Sequence, residues 1–137
     1  MKKLACFLIA AIALLAGYAQ SPVGKWKVIS HSSVYEGQKM ETHKALLKIR
    51  PCAANIFFEV NEDGTYRLNA ASSGCDEKYK NVQEKLYSKT KWKVEAGIIS
   101  ISATNFAVSQ SYKISFSGSQ MIWNGTDGQG TIVYQKL

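Results

Sequence analysis

From Lys25 to the C-terminus, apolar residues recur at every second position in short runs. Trp26 and Val28 alternate with Lys25 and Lys27, Ile56, Phe58 and Val60 with Phe57 and Glu59, and Tyr66 and Leu68 with Thr65 and Arg67. The later runs repeat the pattern: Trp92 and Val94 against Lys91 and Lys93, Ile99 and Ile101 against Ser100 and Ser102, and Tyr112, Ile114 and Phe116 against Lys113 and Ser115, with Ile132 and Tyr134 last. Side chains on a strand point to opposite faces in turn, so each run predicts a strand with one apolar face. Ala45, Leu47 and Ile49 share the spacing and are expected to supply one more strand.

The runs are joined by short segments that place glycine where a tight hairpin turn needs positive φ: Asn61-Glu62-Asp63-Gly64, Glu95-Ala96-Gly97, Ser117-Gly118-Ser119 and Asp127-Gly128-Gln129-Gly130. Asp63 and Asp127, beside those glycines, have the ordinary turn role of bonding the backbone. Eight or nine strands joined in sequence form an antiparallel meander. The expected fold class is therefore all-β, and one-faced strands in sequential order close most economically as an up-and-down barrel of about eight strands. A two-sheet sandwich satisfies the same periodicity.

One segment departs from period two. Between Asp76 and Tyr87, Tyr79, Val82, Leu86 and Tyr87 fall at helical spacing, with Asp76 placed to cap and Glu77 in the first turn. This predicts one short helix covering an end of the barrel, with a movable lid as the functional alternative.

The N-terminus follows another logic. Lys2 and Lys3 precede an apolar run from Leu4 to Ala16, and Gly17 and Ala19 are the small residues a signal peptidase accepts ahead of a cut before Gln20. The run is shorter than the roughly 20 apolar residues that span a bilayer. Residues 1–19 thus read as a signal peptide and 20–137 as one domain. Leu15-Ala16-Gly17 is followed by Tyr18 where lipid attachment requires cysteine, and Cys6 lies inside the apolar run. With no further long apolar segment, a periplasmic or secreted protein without a membrane anchor is expected.

Charge and cysteines refine this. The formal charge of +7 falls to +5 once Lys2 and Lys3 leave with the leader. The lysines are dispersed and fall on the strand faces opposite the aromatics, an arrangement that argues against nucleic acid as a partner. Loss of Cys6 leaves Cys52 and Cys75, an even count in an oxidising compartment, so a disulfide between them is expected. His31 and His43 stand on separate segments, and neither they nor the cysteines make a metal motif. No cofactor is expected.

Gly24-Lys25-Trp26 opening the first strand resembles the Gly-x-Trp of lipocalins. Cys52-Ala53-Ala54-Asn55, Phe58, Asn61 to Tyr66, Gly74-Cys75-Asp76 and Lys91-Trp92 follow in an order similar to that of the lipocalin-like domains of small exported bacterial proteins. The resemblance spans nearly all of 20–137 and implies a lipocalin-like barrel in which Trp26 packs across one end as a structural residue. It brings no shared activity, so it implies at most a small-molecule binder.

The chain shows no Gly-x-Ser-x-Gly elbow, paired carboxylates, phosphate loop or open metal site, and it is not read as an enzyme. An eight-stranded barrel is just wide enough either to be filled by side chains or to hold one small ligand. The candidate ligand-contacting residues are Phe58, Tyr66, Trp92, Tyr112 and Phe116, expected to converge on one void near the helix-covered end and to take a small apolar molecule. In the alternative, a protein-binding module such as a periplasmic protease inhibitor, the interior is solid. Recognition then falls to the arm Gln20–Val23 or the loop Ser32–Thr42.

Overall fold

The computed structural model describes residues 20–126 and 129–137. The expected leader, residues 1–19, and Asp127 and Gly128 of the expected last turn lie outside the described residues. Nine strands form one antiparallel sheet: β1 (Gly24–Tyr35), β2 (Gln38–Glu41), β3 (Phe57–Val60), β4 (Tyr66–Asn69), β5 (Lys91–Glu95), β6 (Ile98–Ser102), β7 (Gln110–Ser117), β8 (Gln120–Gly125) and β9 (Thr131–Lys136). Their order is β4-β3-β1-β9-β8-β7-β6-β5, with β2 paired only to the far end of β1.

The free edges of β4 and β5 approach each other. A bridge joins Thr65 to Lys91, and the amides of Tyr66 and Trp92 donate to the carbonyls of Thr90 and Gly64 at 3.0 and 2.9 Å. Eight strands thereby curl into a nearly closed up-and-down barrel with a single interior, and the two-sheet alternative is set aside. Arg67, on the outer face of β4, donates to the Tyr66, Tyr87 and Thr90 carbonyls at 3.0, 3.2 and 2.7 Å and ties this seam to the chain that enters β5.

Two helices cover one end. The second, α2 (Glu77–Leu86), starts where its sequence indicates, with the Asp76 carboxylate accepting from the Tyr79 amide at 2.9 Å. Its apolar positions divide in a way the spacing did not indicate. Tyr79 and Tyr87 pack on the core, whereas Val82 and Leu86 remain exposed.

The first, α1 (Thr42–Ile49), overturns the strand expected from Ala45, Leu47 and Ile49. His43, Leu46, Leu47 and Arg50 stand at the i, i+3, i+4, i+7 spacing of a helix face, and it is His43, Leu46 and Leu47 that turn toward the interior and the core beside it, while Ile49 is exposed. Pro51 disfavours helical backbone at Arg50, which ends α1 ahead of a 3-10 turn at Pro51–Asn55. The segment Ser32–Thr42 is likewise a hairpin and not a loop, with Tyr35 facing Gln38 across Glu36-Gly37. Both turn residues have positive φ, the geometry whose twist matches that of the flanking strands.

The Cys52–Cys75 disulfide joins the turn after α1 to the start of α2. Bridging a separation of 23 residues, it restricts the unfolded chain by about 3 kcal/mol in the loop-entropy model. Arg50 reinforces the junction, with a 3.0 Å ion pair to Asp76 and its guanidinium 3.8 Å from the centre of the Tyr79 ring.

Trp26 closes the opposite end. It is 2 % exposed, packs near Phe116 and donates its indole N–H to the Pro22 carbonyl at 2.8 Å, so the N-terminal arm folds back over it. Trp26→Ala opens a cavity and strips Pro22 of its partner. It is expected to cost about 3–5 kcal/mol, read as a lower denaturation midpoint with unchanged slope. An unchanged midpoint contradicts this role.

Candidate functional site

The interior divides into two adjoining chambers at the helix-covered end. The outer chamber, about 450 Å³, lies between the helices and the barrel mouth, walled by His43 and Leu46 of α1, Tyr79 and Gln83 of α2, and Ile56 and Leu68. The inner chamber, about 360 Å³, reaches into the barrel among Tyr66, Tyr112, Trp123, Gln129, Ile132 and Tyr134. Val28, His31, Phe58 and Tyr87 border both and form the neck between them. Volumes of this size accommodate small ligands.

A backbone irregularity brings His31 to the neck. β1 pairs with β9 as Val28↔Tyr134 and then Ser30↔Val133, so Ile29 is an extra residue and the strand changes parity. His31 consequently pairs with Ile132 and shares its inward face, while Ile29 turns out to solvent. Simple alternation from Trp26 and Val28 would have placed His31 outside. Glu41 fastens this stretch by accepting from the His31 amide at 2.9 Å and from the Ser30 hydroxyl. The His31 amide chiefly holds the Glu41 carboxyl below its usual range, against the opposing effect of burial. Burial pushes the His43 imidazole down from its ordinary value, although Glu41 pulls the other way.

Six aromatic rings build the inner walls. Phe58 stacks on Tyr66 at 5.3 Å and meets Tyr87 and Tyr134 edge-on at 5.4 and 6.1 Å. Trp123 lies against Tyr66, Tyr112 and Tyr134 at centroid separations of 5.8, 5.3 and 4.8 Å. The rings touch and still leave a void. A Cβ on Gly130 would overlap the Ser32 carbonyl, so only glycine lets the β8–β9 connection lie this close to β1 beside the neck.

Of the residues singled out from the sequence, Phe58, Tyr66 and Tyr112 border the inner chamber. Trp92 and Phe116 do not. Trp92 belongs to the seam, its indole donating to the Asn61 carbonyl at 2.8 Å, and Phe116 sits beside Trp26 at the other end. Phe116 shares the strand face of the lining residues but stands farther along its strand than Tyr112, and Trp92, paired across from the lining residue Ile101, has its indole bonded at the seam; period-two spacing resolves neither. Trp123 was missed, although Met121 and Trp123 alternate with Gln120, Ile122 and Asn124 clearly enough to have found it. His31 required knowledge of the bulge. Tyr87, read only as a helix residue, reaches the neck because α2 ends there.

The polar inventory of the interior is small. The Tyr66 and Tyr134 hydroxyls bond each other at 3.1 Å, and Tyr112 donates to Gln110 at 3.4 Å. Among the described residues the buried Trp123 Nε1 and Gln129 Oε1 have no partner. No Lys, Arg, Asp or Glu lines either chamber. No group of three or more His, Cys, Asp or Glu side chains is placed to hold a metal among the described residues, and none of the described helices is long and apolar enough to cross a membrane. Set against family models, curated proteins and solved structures, the chain matches none.

Burial chiefly pushes the pKa of Tyr66 and Tyr134 well above the ordinary tyrosine value, and that of Tyr87 and Tyr112 up to a lesser degree. In the unfolded chain these groups ionise near pH about 10. Above that pH the unfolded state therefore holds fewer protons than the folded one, and stability falls as pH rises. Tyrosinate absorbance on alkaline titration is expected to develop in two steps, exposed tyrosines first and Tyr66 and Tyr134 only together with loss of near-UV circular dichroism. Their ionisation in the folded barrel would contradict the buried pair.

Proposed function

We propose that this protein is an exported, lipocalin-like binding protein that takes up one small, largely apolar molecule through the helix-covered mouth of its barrel. The observation that carries the reading is the pair of adjoining chambers, walled chiefly by aromatic and aliphatic side chains with a few polar groups and no Lys, Arg, Asp or Glu. Apolar walls supply binding energy and sparse polar groups supply orientation, the composition of small-molecule sites. The leader ahead of Gln20 and the disulfide support a periplasmic or secreted location.

A second reading has its own observation. The hairpin formed by β2 and the end of β1 carries exposed Val34, Tyr35 and Met40. Such a projection suits docking to a protein partner, as in an inhibitor. The arm Gln20–Val23 suits it less, because Pro22 is buried and holds the Trp26 indole.

Titration with N-phenyl-1-naphthylamine, a neutral probe that brightens in apolar surroundings, separates the two. Saturable binding at one site per chain is expected, together with quenching of tryptophan emission. Val28→Phe fills the neck and is expected to weaken the probe at least tenfold, with the denaturation midpoint little changed because the added ring occupies a void. Binding that never saturates, or that survives Val28→Phe and disappears on Val34→Ser with Tyr35→Ser, would replace the barrel reading with the hairpin one.

A further inference from the structure

The inner chamber contains hydrogen-bonding capacity that the protein itself does not use. The three tryptophans make the contrast plain. Trp26 donates its indole N–H to Pro22 and Trp92 donates to Asn61, each at 2.8 Å. Trp123, fully buried and bordering the chamber, donates to nothing among the described residues. The Tyr66–Tyr134 bond adds to this, since two hydroxyls joined by one hydrogen bond spend one proton between them and leave the other. Trp123 packs against both rings, so the two unspent donors belong to neighbouring side chains of one chamber wall. On the rim of that chamber the buried Gln129 Oε1 is an unspent acceptor. Gln129 is held there by the Gly125–Gly130 backbone bond of 2.7 Å, and it packs so closely on Gly125 that a Cβ at that position would collide with it.

Leaving a buried donor or acceptor unpaired costs more than a typical net hydrogen bond returns, and a buried group without a partner calls for a reason. Resting on the binding reading above, we propose that the inner chamber is built for an uncharged one- or two-ring aromatic molecule bearing a hydroxyl or carbonyl oxygen, which accepts from Trp123 Nε1. A hydroxyl goes further, since it also donates to Gln129 Oε1. The aromatic walls select a flat ring, which the roughly 360 Å³ of space accommodates. Charged analogues are rejected because no Lys, Arg, Asp or Glu lines the chamber, and an unpaired ion is costly to bury. Long acyl chains are rejected because Trp26, Val60 and Met121, all buried, fill the barrel beyond it.

The test uses naphthalene, 2-naphthol and 2-naphthoate, which share a ring system and differ in the polar group, titrated calorimetrically into the purified protein. The indole N–H signals are followed in parallel by nitrogen-15 NMR. Binding of 2-naphthol about tenfold tighter than naphthalene, 2-naphthoate weakest, and a shift of the Trp123 indole signal with 2-naphthol but not with naphthalene is the expected result. Trp123→Phe keeps a flat ring without the N–H and should abolish the preference for 2-naphthol, and the wild-type comparison stands by itself should that variant fold poorly. Equal affinities with an unmoved Trp123 signal would overturn the polar anchor and leave the binding reading intact, as if water already served those groups. Tightest binding of 2-naphthoate would overturn the selection for a neutral ligand. Absence of binding by all three, where N-phenyl-1-naphthylamine still saturates, would overturn the assignment of ligand class alone. Failure of that probe as well would remove both readings.

Discussion

Everything in this molecule depends on the meeting of β4 and β5. An antiparallel sheet of eight strands has two free edges, and only their union converts it into a barrel with an inside. Here the union is short: one bridge at Thr65 and Lys91, two backbone bonds, and the Arg67 guanidinium gathering three carbonyls on the outer face. The Trp92 indole adds a bond to Asn61 from the same seam. Because this closure fixes the girth of the barrel, it fixes how many rings the interior can take. Six aromatic residues share that space, yet rings meeting edge-on or tilted cannot tile it, and the inner chamber is what remains.

The two ends are treated differently, and the difference gives the barrel a direction. Trp26 and the returning arm seal one end with an apolar plug in which the indole N–H is satisfied. At the other end the closure is made by α1 and α2, pieces that the barrel itself does not require. The disulfide and the Arg50–Asp76 pair clamp the turn after α1 to the start of α2, so the cover is held as one unit while space remains beneath it. A second small apolar cluster, with Ala70 fully buried at its centre, fills the region beside the outer chamber. The chambers thus lie between a plugged base and a clamped roof, with His31 and Tyr87 at the neck.

Much of this was legible in the sequence because a strand's period of two is a strong and local signal. Strands β3 to β7 and β9, the turns at Gly64, Gly97 and Gly118, the cap at Asp76 and the pairing of Cys52 with Cys75 all follow from nearest-neighbour patterns and compartment chemistry. Ala45, Leu47 and Ile49 misled because three apolar residues two apart also occur within a helix. Deciding between the two needed the approach of Pro51 and the placement of His43 against the barrel mouth. The site was legible only in part. Alternation assigns a residue to the inner face but says nothing of its height along the barrel or of the partner its ring takes, which is why Phe58, Tyr66 and Tyr112 border the chamber while Phe116 serves the plug and Trp92, beside the lining residue Ile101, serves the seam. The bulge at Ile29 that brings His31 inside leaves no mark in the local pattern.

The central claim is that the barrel interior, and not its surface, receives the ligand. Intermolecular nuclear Overhauser effects between bound N-phenyl-1-naphthylamine and the protein test it most directly. The account predicts contacts from the probe's ring protons to Phe58, Tyr66, Tyr112 and Trp123 within the barrel, and to Tyr87 at the neck. Contacts confined to Val34, Tyr35 and Met40 on the projecting hairpin, or to Val82 and Leu86 on the outside of α2, would contradict it.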